Sequence, residues 1–206
     1  MNNEGSSGVI TIGSSYTYSK FRLADLFFDY SEKKTGVSFD VVTEQSHNLF
    51  RMLVENNLSF GFISGNYEGL INKILVKQDK SYIVSKDPIN LDKLPYLKPI
   101  DYRKNDKSKE LIDNWWNERY KESRPSGTFA GYIDFTWKLI DKGLRYTCCF
   151  LPDEFKNDYN FQLTPLLDLD GNNVIRNTWF AYSKTKKFNK IEKEFIQFIE
   201  DNVLID

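Results

Sequence analysis

The chain has 206 residues, of which 40% are apolar and 16% aromatic, and this composition excludes a disordered, fibrous or low-complexity protein. Its 28 basic and 29 acidic residues nearly cancel, which excludes a polyanion-binding surface spread over the whole chain. The length predicts one or two domains that can bury a core without disulfides or metals.

The first third of the chain alternates between strand and helix patterns. Short runs rich in β-branched and aromatic residues predict strands at 9–12, 37–43 and 58–64. A helix is predicted at 19–34, with Gly36 as its C-cap glycine, and a second helix after Ser46, which we interpret as its N-cap. This alternation is typical of a parallel sheet covered by helices.

The same alternation restarts near Lys80, which favours a second α/β subdomain. Strands are predicted at 80–85, 145–151 and 177–183, and an extended segment at 96–102. Apolar residues at helical spacing predict helices at 108–122, 132–142 and 187–202.

Residues for hydrolytic, redox or metal chemistry are scarce. The single histidine, His47, excludes a zinc site built from histidines and is interpreted as a surface residue at a helix start. Cys148 and Cys149 lack metal or redox spacing and are interpreted as buried thiols of a reducing cytoplasm. Asp168 and Asp170 are interpreted as turn residues. With P-loop and dinucleotide motifs also missing, we predict no enzyme, no cofactor and no metal.

Polar residues follow the predicted strands at their carboxyl ends, where open α/β sheets bind ligands. Helices that start near Ser19 and Ser46 would direct N–H groups and positive dipole ends to the same edge. Hydroxyls and helix N-termini suit a small anion, but serine and threonine are also ordinary cap residues, and the pattern favours neither interpretation. The residues concerned are Ser14, Ser15 and Thr17 after the first strand, Ser46 after the second and Ser64 after the third.

Three stretches resemble the effector-binding domain of LysR-type transcriptional regulators. The run Gly-Val-Ile-Thr-Ile-Gly-Ser-Ser at 8–15 is similar to the family's opening strand and ligand loop. Residues 37–64 are similar to its second strand, helix and third strand, and residues 139–152 to its late helix, glycine turn and Leu-Pro strand end. Residues 165–167 and 176–183 fit the return to the first subdomain, whereas 101–131 matches little.

The resemblance implies an α/β fold of two Rossmann-like subdomains joined by crossover strands, like a type 2 periplasmic binding protein. Subdomain I would comprise 1–77 and 179–206, and subdomain II 78–178. It also implies a cytoplasmic domain that senses a small polar or anionic metabolite in the cleft between the subdomains. The expected ligand residues are Ser14, Ser15, Thr17, Ser46 and Ser64 in subdomain I, with Tyr102 and Thr128 in subdomain II.

The polar start of the chain, 1–8, is interpreted as a cut linker. The resemblance then implies that DNA is bound only through an N-terminal helix-turn-helix absent from this sequence. It also implies a homodimer formed by the first helix and the region of the third strand and second helix. No membrane partner is expected. Two alternatives stay open, an exported solute-binding protein of a transporter and a small enzyme on the same bilobal fold.

Overall fold

A computed structural model describes residues 7–203. Residues 1–6, within the predicted linker, and residues 204–206, at the end of predicted subdomain I, lie outside the described part. The strands are β1 Gly8–Ser14, β2 Val37–Thr43, β3 Phe60–Ser64, β4 Ile71–Ser85, β5 Ile100–Asp101, β6 Thr128–Phe129, β7 Tyr146–Leu151, β8 Gln162–Pro165 and β9 Ile175–Ser183.

The first helix, α1, joins three consecutive segments, Tyr16–Tyr18, Ser19–Leu23 and Ala24–Lys33, of which the middle one is a π-helix. A 3₁₀ helix covers Leu91–Tyr96. The remaining helices are α2 Ser46–Val54, α3 Asp106–Tyr120, α4 Ile133–Asp141 and α5 Lys190–Asn202.

The chain divides into two compact units, Met1–Gln78 with Asn177–Asp206, and Asp79–Arg176. β4 runs from the first unit into the second, and β9 returns to the first, so the chain passes between the units twice. These divisions lie one and two residues from the predicted limits of 1–77, 78–178 and 179–206. As functional subdomains, those ranges stay a prediction.

The first unit is built on the strand order β2-β1-β3-β9-β4. β1 pairs in parallel with β2 and with β3, whereas β9 is antiparallel to β3. Ile10 and Ile12 of β1 are fully buried and belong to one core cluster with Tyr30 of α1 and Phe195 of α5. A second cluster contains Leu49 and Leu53 of α2 together with Ile63 and Ala181. The predicted parallel strand–helix arrangement is confirmed.

Gly13 of β1 explains how closely α2 packs. A Cβ atom at this position would lie 2.6 Å from Leu49 Cδ2 and 2.5 Å from Leu58 Cδ1. A larger residue would therefore force the side chains of Leu49 and Leu58 to move within a packed core, which is unfavourable. The glycine lets Leu49 of α2 and Leu58 pack directly against the backbone of β1.

The second unit is built around the C-terminal half of β4, which pairs antiparallel with β7 and β8. β5 and β6 form a separate parallel pair. Trp115 and Trp116 of α3 share a core cluster with Tyr146 and Cys148. Trp137 of α4 belongs to another cluster that includes Val84, Ile140 and Cys149.

The boundaries differ from the predictions at several points. α1 begins at Tyr16 rather than residue 19, and β4 begins at Ile71 rather than residue 80. Only Ile100–Asp101 of the predicted extended segment 96–102 is a strand. Ser46 is not an N-cap, because Gln45 has the extended cap conformation (φ −65°, ψ 141°) and Ser46 is the first helical residue.

Candidate functional site

The carboxyl ends of β1 and β3 bring hydroxyl groups into contact. Ser15 Oγ lies 3.2 Å from Ser64 Oγ, and Ser64 Oγ lies 2.9 Å from Thr178 Oγ1 on β9. The N–H of Ser15 donates to the carbonyl of Phe62 at 3.0 Å, which holds the residue against β3. The result is a row of three hydrogen-bonded hydroxyls that ends at Ser15.

Ser15 also marks the start of α1. It is the N-cap residue, with φ −64° and ψ 150°, and within the described chain its side chain makes no capping hydrogen bond. A hydroxyl donates one hydrogen and accepts at two lone pairs, so the row can run in either direction and Ser15 can present a donor or an acceptor. The positive end of the α1 dipole beside it favours an anionic group.

Ser46 holds the backbone of Ser64, the middle residue of this row. Its side chain is 1% exposed, and its Oγ accepts the N–H of Ser64 at 2.9 Å. The hydroxyl is thus used inside the protein, where it ties the first turn of α2 to the end of β3. The predicted capping role is wrong, but Ser46 does lie beside Ser64 as expected.

Ser14 and Thr17 flank Ser15 in sequence. Ser14 is fully buried, and its Oγ donates to the carbonyl of Ser15 at 3.3 Å. Thr17 is half-buried in the first turn of α1. Of the five residues predicted in this unit, Ser14, Ser15, Ser46 and Ser64 are joined through hydrogen bonds, and Thr17 lies two residues after Ser15.

Tyr102 and Thr128 belong to the second unit. Tyr102 is half-buried after β5, with Lys104 Nζ 3.8 Å from the centre of its ring. Burial raises the pKa of the Tyr102 phenol well above its usual value, so the hydroxyl stays neutral. Thr128 is exposed on β6, and its N–H donates to the carbonyl of Pro99 at 3.0 Å.

Two groups of polar residues near the candidate sites were not predicted from the sequence. Thr178 gives no signal within its own strand, since its contact with Ser64 spans 114 residues. The second group surrounds Asp101, whose two carboxylate oxygens each accept from Arg124 Nη2 at 2.8 Å. Lys104 Nζ donates to Asp101 Oδ1 at 3.2 Å. These charged residues fall in the segment 101–131 that matched no family pattern, so only their charge could have drawn attention.

Other residues singled out in the sequence have structural roles. His47 is exposed in the first turn of α2, as expected. Cys148 and Cys149 are free and buried, and burial raises the pKa of both thiols, so they stay protonated. Asp168 Oδ1 accepts the N–H groups of Asp170 and Asn172, which confirms the predicted turn.

Two searches of the described residues have negative results. Between residues 7 and 203, no group of three or more His, Cys, Asp or Glu side chains could hold a metal ion. In the same part of the chain, no helix is both long and apolar enough to cross a membrane.

No protein-family model matches the chain. Among curated proteins, it is 22% identical over 198 residues to the uncharacterized HTH-type transcriptional regulator YraN of Bacillus subtilis (strain 168), covering 96% of this chain and 68% of that protein. It is 23% identical over 176 residues to the uncharacterized HTH-type regulator YkuM of the same organism, covering 84% and 59%. The chain thus spans roughly 0.6 to 0.7 of the length of these two relatives.

Solved structures share the fold over almost the whole chain. The effector binding domain of QuiR in complex with shikimate matches with a TM-score of 0.80 and 14% identity, covering 97% of this chain and 100% of that one. The C-terminal domain of a probable LysR family transcriptional regulator from Rhodococcus sp. RHA1 matches with a TM-score of 0.80 and 12% identity, covering 95% and 100%. The chain has the fold of a LysR-type effector-binding domain.

A further solved structure of this fold is a second complex with a ligand. The regulatory domain of Synechocystis PCC6803 CcmR in complex with 2-PG matches with a TM-score of 0.79 and 12% identity, covering 96% of this chain and 98% of that one. The resemblance to LysR-type effector-binding domains and the predicted α/β fold of the type 2 periplasmic-binding-protein kind are confirmed. Both curated relatives are described as HTH-type transcriptional regulators.

Proposed function

We propose that this chain is the effector-sensing domain of a cytoplasmic LysR-type transcriptional regulator and that its effector is a small polar or anionic metabolite. The fold and the two transcriptional-regulator relatives support this function. Two solved domains of the same fold hold small molecules, shikimate in one and 2-PG in the other. The chain would bind its effector without transforming it.

The observation that carries the proposal is the row of hydroxyls from Thr178 through Ser64 to Ser15 at the start of α1. In this proposal Ser15 and Thr17 bind the effector directly. Buried hydroxyls behind them keep Ser15 in position, and Tyr102 and Thr128 contribute from the second unit. The full proposed set is Ser14, Ser15, Thr17, Ser46, Ser64, Tyr102 and Thr128.

DNA binding is assigned to a different part of the regulator. The chain carries a net charge of −1, whereas non-specific DNA affinity depends on several Lys or Arg contacts to phosphates. The curated relatives are HTH-type regulators, and this chain covers 68% and 59% of their lengths. We therefore assign DNA binding to an N-terminal helix-turn-helix that this sequence does not include.

Isothermal titration calorimetry with a panel of small carboxylates, phosphorylated metabolites and neutral polar compounds tests this function. Ser15→Ala is expected to weaken the tightest binder several-fold, because one neutral hydrogen bond is worth on the order of 1 kcal/mol. Ser31→Ala is the matched control, since Ser31 lies on the exposed side of α1 and its hydroxyl donates to the Phe28 carbonyl. An affinity unchanged in Ser15→Ala would overturn the site, and a chain that binds no compound of the panel would contradict the effector class.

A further inference from the structure

The second unit contains a cavity of about 380 Å³ that lies beside α3, β6 and the residues that follow β5. This volume is large enough for a small organic molecule. Basic side chains outnumber acidic ones on its walls by four to two, with Arg103, Lys104, Lys109 and Arg124 against Asp101 and Asp113.

The excess positive charge reaches the buried end of this cavity. The side chain of Lys104 is 7% exposed and that of Arg124 is 15% exposed, yet both pair with the single carboxylate of Asp101. Arg124 Nη2 contacts both oxygens of Asp101, and Lys104 Nζ contacts one of them. The three groups together carry a net charge of about +1, because a lysine, an arginine and an aspartate are ionised near neutral pH.

Asp113 adds a further negative charge that acts on Arg124, but Arg103 and Lys109 line the same cavity, so its walls keep an excess of positive charge. The remaining polar neighbours, Cys148 and Tyr102, add no negative charge. Cys148 lies close to both cations, but burial raises the pKa of its thiol and keeps it neutral. The phenol of Tyr102 is neutral for the same reason. Burial also lowers the pKa of Lys104, and the carboxylate of Asp101 opposes this effect.

One nitrogen of the Arg124 guanidinium is a buried donor without a hydrogen bond. Arg124 Nη1 is buried and has no hydrogen-bond partner among residues 7–203. Buried guanidinium N–H groups are normally paired, because leaving one unpaired costs desolvation energy without a compensating hydrogen bond. An anion in the cavity would offset the excess positive charge beside this donor.

The cavity also has an apolar wall. Ile112 of α3 lines it and is 1% exposed, and Phe129 of β6 lines it with its ring 65% exposed. A bare inorganic ion would leave this wall in contact with water, whereas an organic anion would cover it.

We propose that this cavity binds a small organic anion, with a carboxylate or phosphate group held by Lys104 and Arg124 and an apolar part against Ile112 and Phe129. Charge-assisted hydrogen bonds from an arginine and a lysine suit both groups. The proposal deepens the proposed function, since Tyr102 belongs to both sets of residues, and it rests on that function only in taking the anion to be the effector.

Titration of the ¹⁵N-labelled chain, followed by NMR, tests the proposal with three probes. These are cyclohexanecarboxylate, inorganic phosphate and the neutral cyclohexanecarboxamide. At least one anion is expected to shift the backbone amides of 101–104 and of Arg124, and the carboxamide is expected to leave them unshifted. A shift with the carboxylate assigns an organic carboxylate, and a shift with phosphate alone assigns a phosphorylated compound. Equal binding of the carboxamide, or no shift with either anion, would overturn the site.

Lys104→Met is the decisive variant, because Arg124 remains to neutralise Asp101 and the unit should keep its fold. This variant is expected to lower the affinity for the anion about tenfold to a hundredfold, because a hydrogen bond between two charged groups is lost. Lys107→Met is the matched control, since Lys107 lies on α3 and pairs with Glu110. Equal affinity in the two variants would overturn the proposal. Ser15→Ala separates the two proposals. If this variant binds the anion as tightly as the parent chain does, the proposed role of Ser15 fails, but the proposed site at Lys104 and Arg124 stands.

Discussion

Ser46 illustrates how a residue picked for its type can serve a different purpose. Serine before an apolar run is typical of an N-cap, and this was the predicted role. In the structure the hydroxyl accepts the N–H of Ser64, 18 residues away, and so braces the strand end that carries the candidate site. Its contribution is therefore to the shape of the site and to stability.

Ser46→Ala is expected to lower the free energy of unfolding by about 1–3 kcal/mol, because the buried N–H of Ser64 loses its acceptor. Urea unfolding followed by circular dichroism measures the change. The exposed Ser31→Ala serves as control and should stay within about 0.5 kcal/mol of the parent chain. A Ser46→Ala variant as stable as this control would contradict the bracing role.

The site was predictable as far as the chain order of strands allowed. Ser15 and Ser64 were found because each follows or ends a predicted strand, and such ends meet at one edge of a parallel sheet. Thr178 was not found, because only the tertiary pairing of β9 with β3 brings it to Ser64. The ion pair of Arg124 with Asp101 joins residues 23 apart in a segment without a periodic pattern, so the sequence offered no partner for either.

At the scale of elements, strands with clear alternation were predicted best. β2 has its predicted bounds of 37–43, whereas the first half of β4 was missed. Lys73 and Asp79 interrupt the apolar pattern there, and both charges are compensated by groups outside the strand. Lys73 donates to Asn66 and Glu68, and Asp79 pairs with Arg176 at 2.7 Å. Such partners are invisible in a local pattern.

The prediction of an extended segment at 96–102 was wrong for another reason. Two prolines suggested an extended edge, but Pro95 lies inside the 3₁₀ helix Leu91–Tyr96. A short 3₁₀ turn tolerates proline because it leaves few N–H groups to pair. Of this segment, Ile100–Asp101 pair with β6, and Pro99 forms an isolated bridge with Tyr146.

The N-terminus of α5 is held by a reciprocal cap. Asn189 Oδ1 accepts the N–H of Glu192, and Glu192 Oε2 accepts the N–H of Asn189, both at 2.9 Å. Glu192 also accepts from the hydroxyl of Ser59 and lies 3.3 Å from Lys186 Nζ. Burial alone would raise the pKa of Glu192, but these hydrogen bonds and the lysine outweigh burial and lower it.

A lowered carboxyl pKa gives this cap a defined pH dependence. The stabilisation is present above the unfolded-state pKa of about 4.3 and is lost as the pH falls through the lower folded-state value. Glu192→Gln, which can still accept hydrogen bonds, is expected to lose about 1 kcal/mol at pH 7 and much less at pH 3. Urea titrations at the two pH values measure this. Glu200→Gln, on the same helix and exposed, is the control, and an equal loss at both pH values for Glu192→Gln would contradict the argument.

At the scale of the whole molecule, α1 has an aromatic residue on its outer face. Phe28 is 65% exposed, while Phe27 stacks on Phe39 with ring centres 3.9 Å apart and Tyr30 is buried. Leu23, another apolar residue of this helix, is buried, so Phe28 is the residue that faces outwards. An isologous dimer needs one such self-complementary surface, so we propose α1, with the β3 and α2 region, as the dimer contact.

Sedimentation at tens of micromolar checks the proposed dimer. The parent chain is expected to sediment at twice its mass of 24.2 kDa, and Phe28→Glu is expected to shift it to the monomer. The charge would be buried without a partner at the contact, which is unfavourable. Tyr96→Glu changes another exposed aromatic residue, outside α1, and should remain dimeric. A parent chain that sediments as a monomer would contradict the dimer.

We propose above all that this chain, which has the fold of a LysR-type effector-binding domain, senses a small effector through the hydroxyls at the start of α1. The most direct measurement is a crystal structure of the chain with the compound that binds tightest in the calorimetric panel. We expect a polar group of that compound to lie within hydrogen-bond distance of Ser15 Oγ. A bound compound that contacts neither Ser15 nor Thr17 would contradict it.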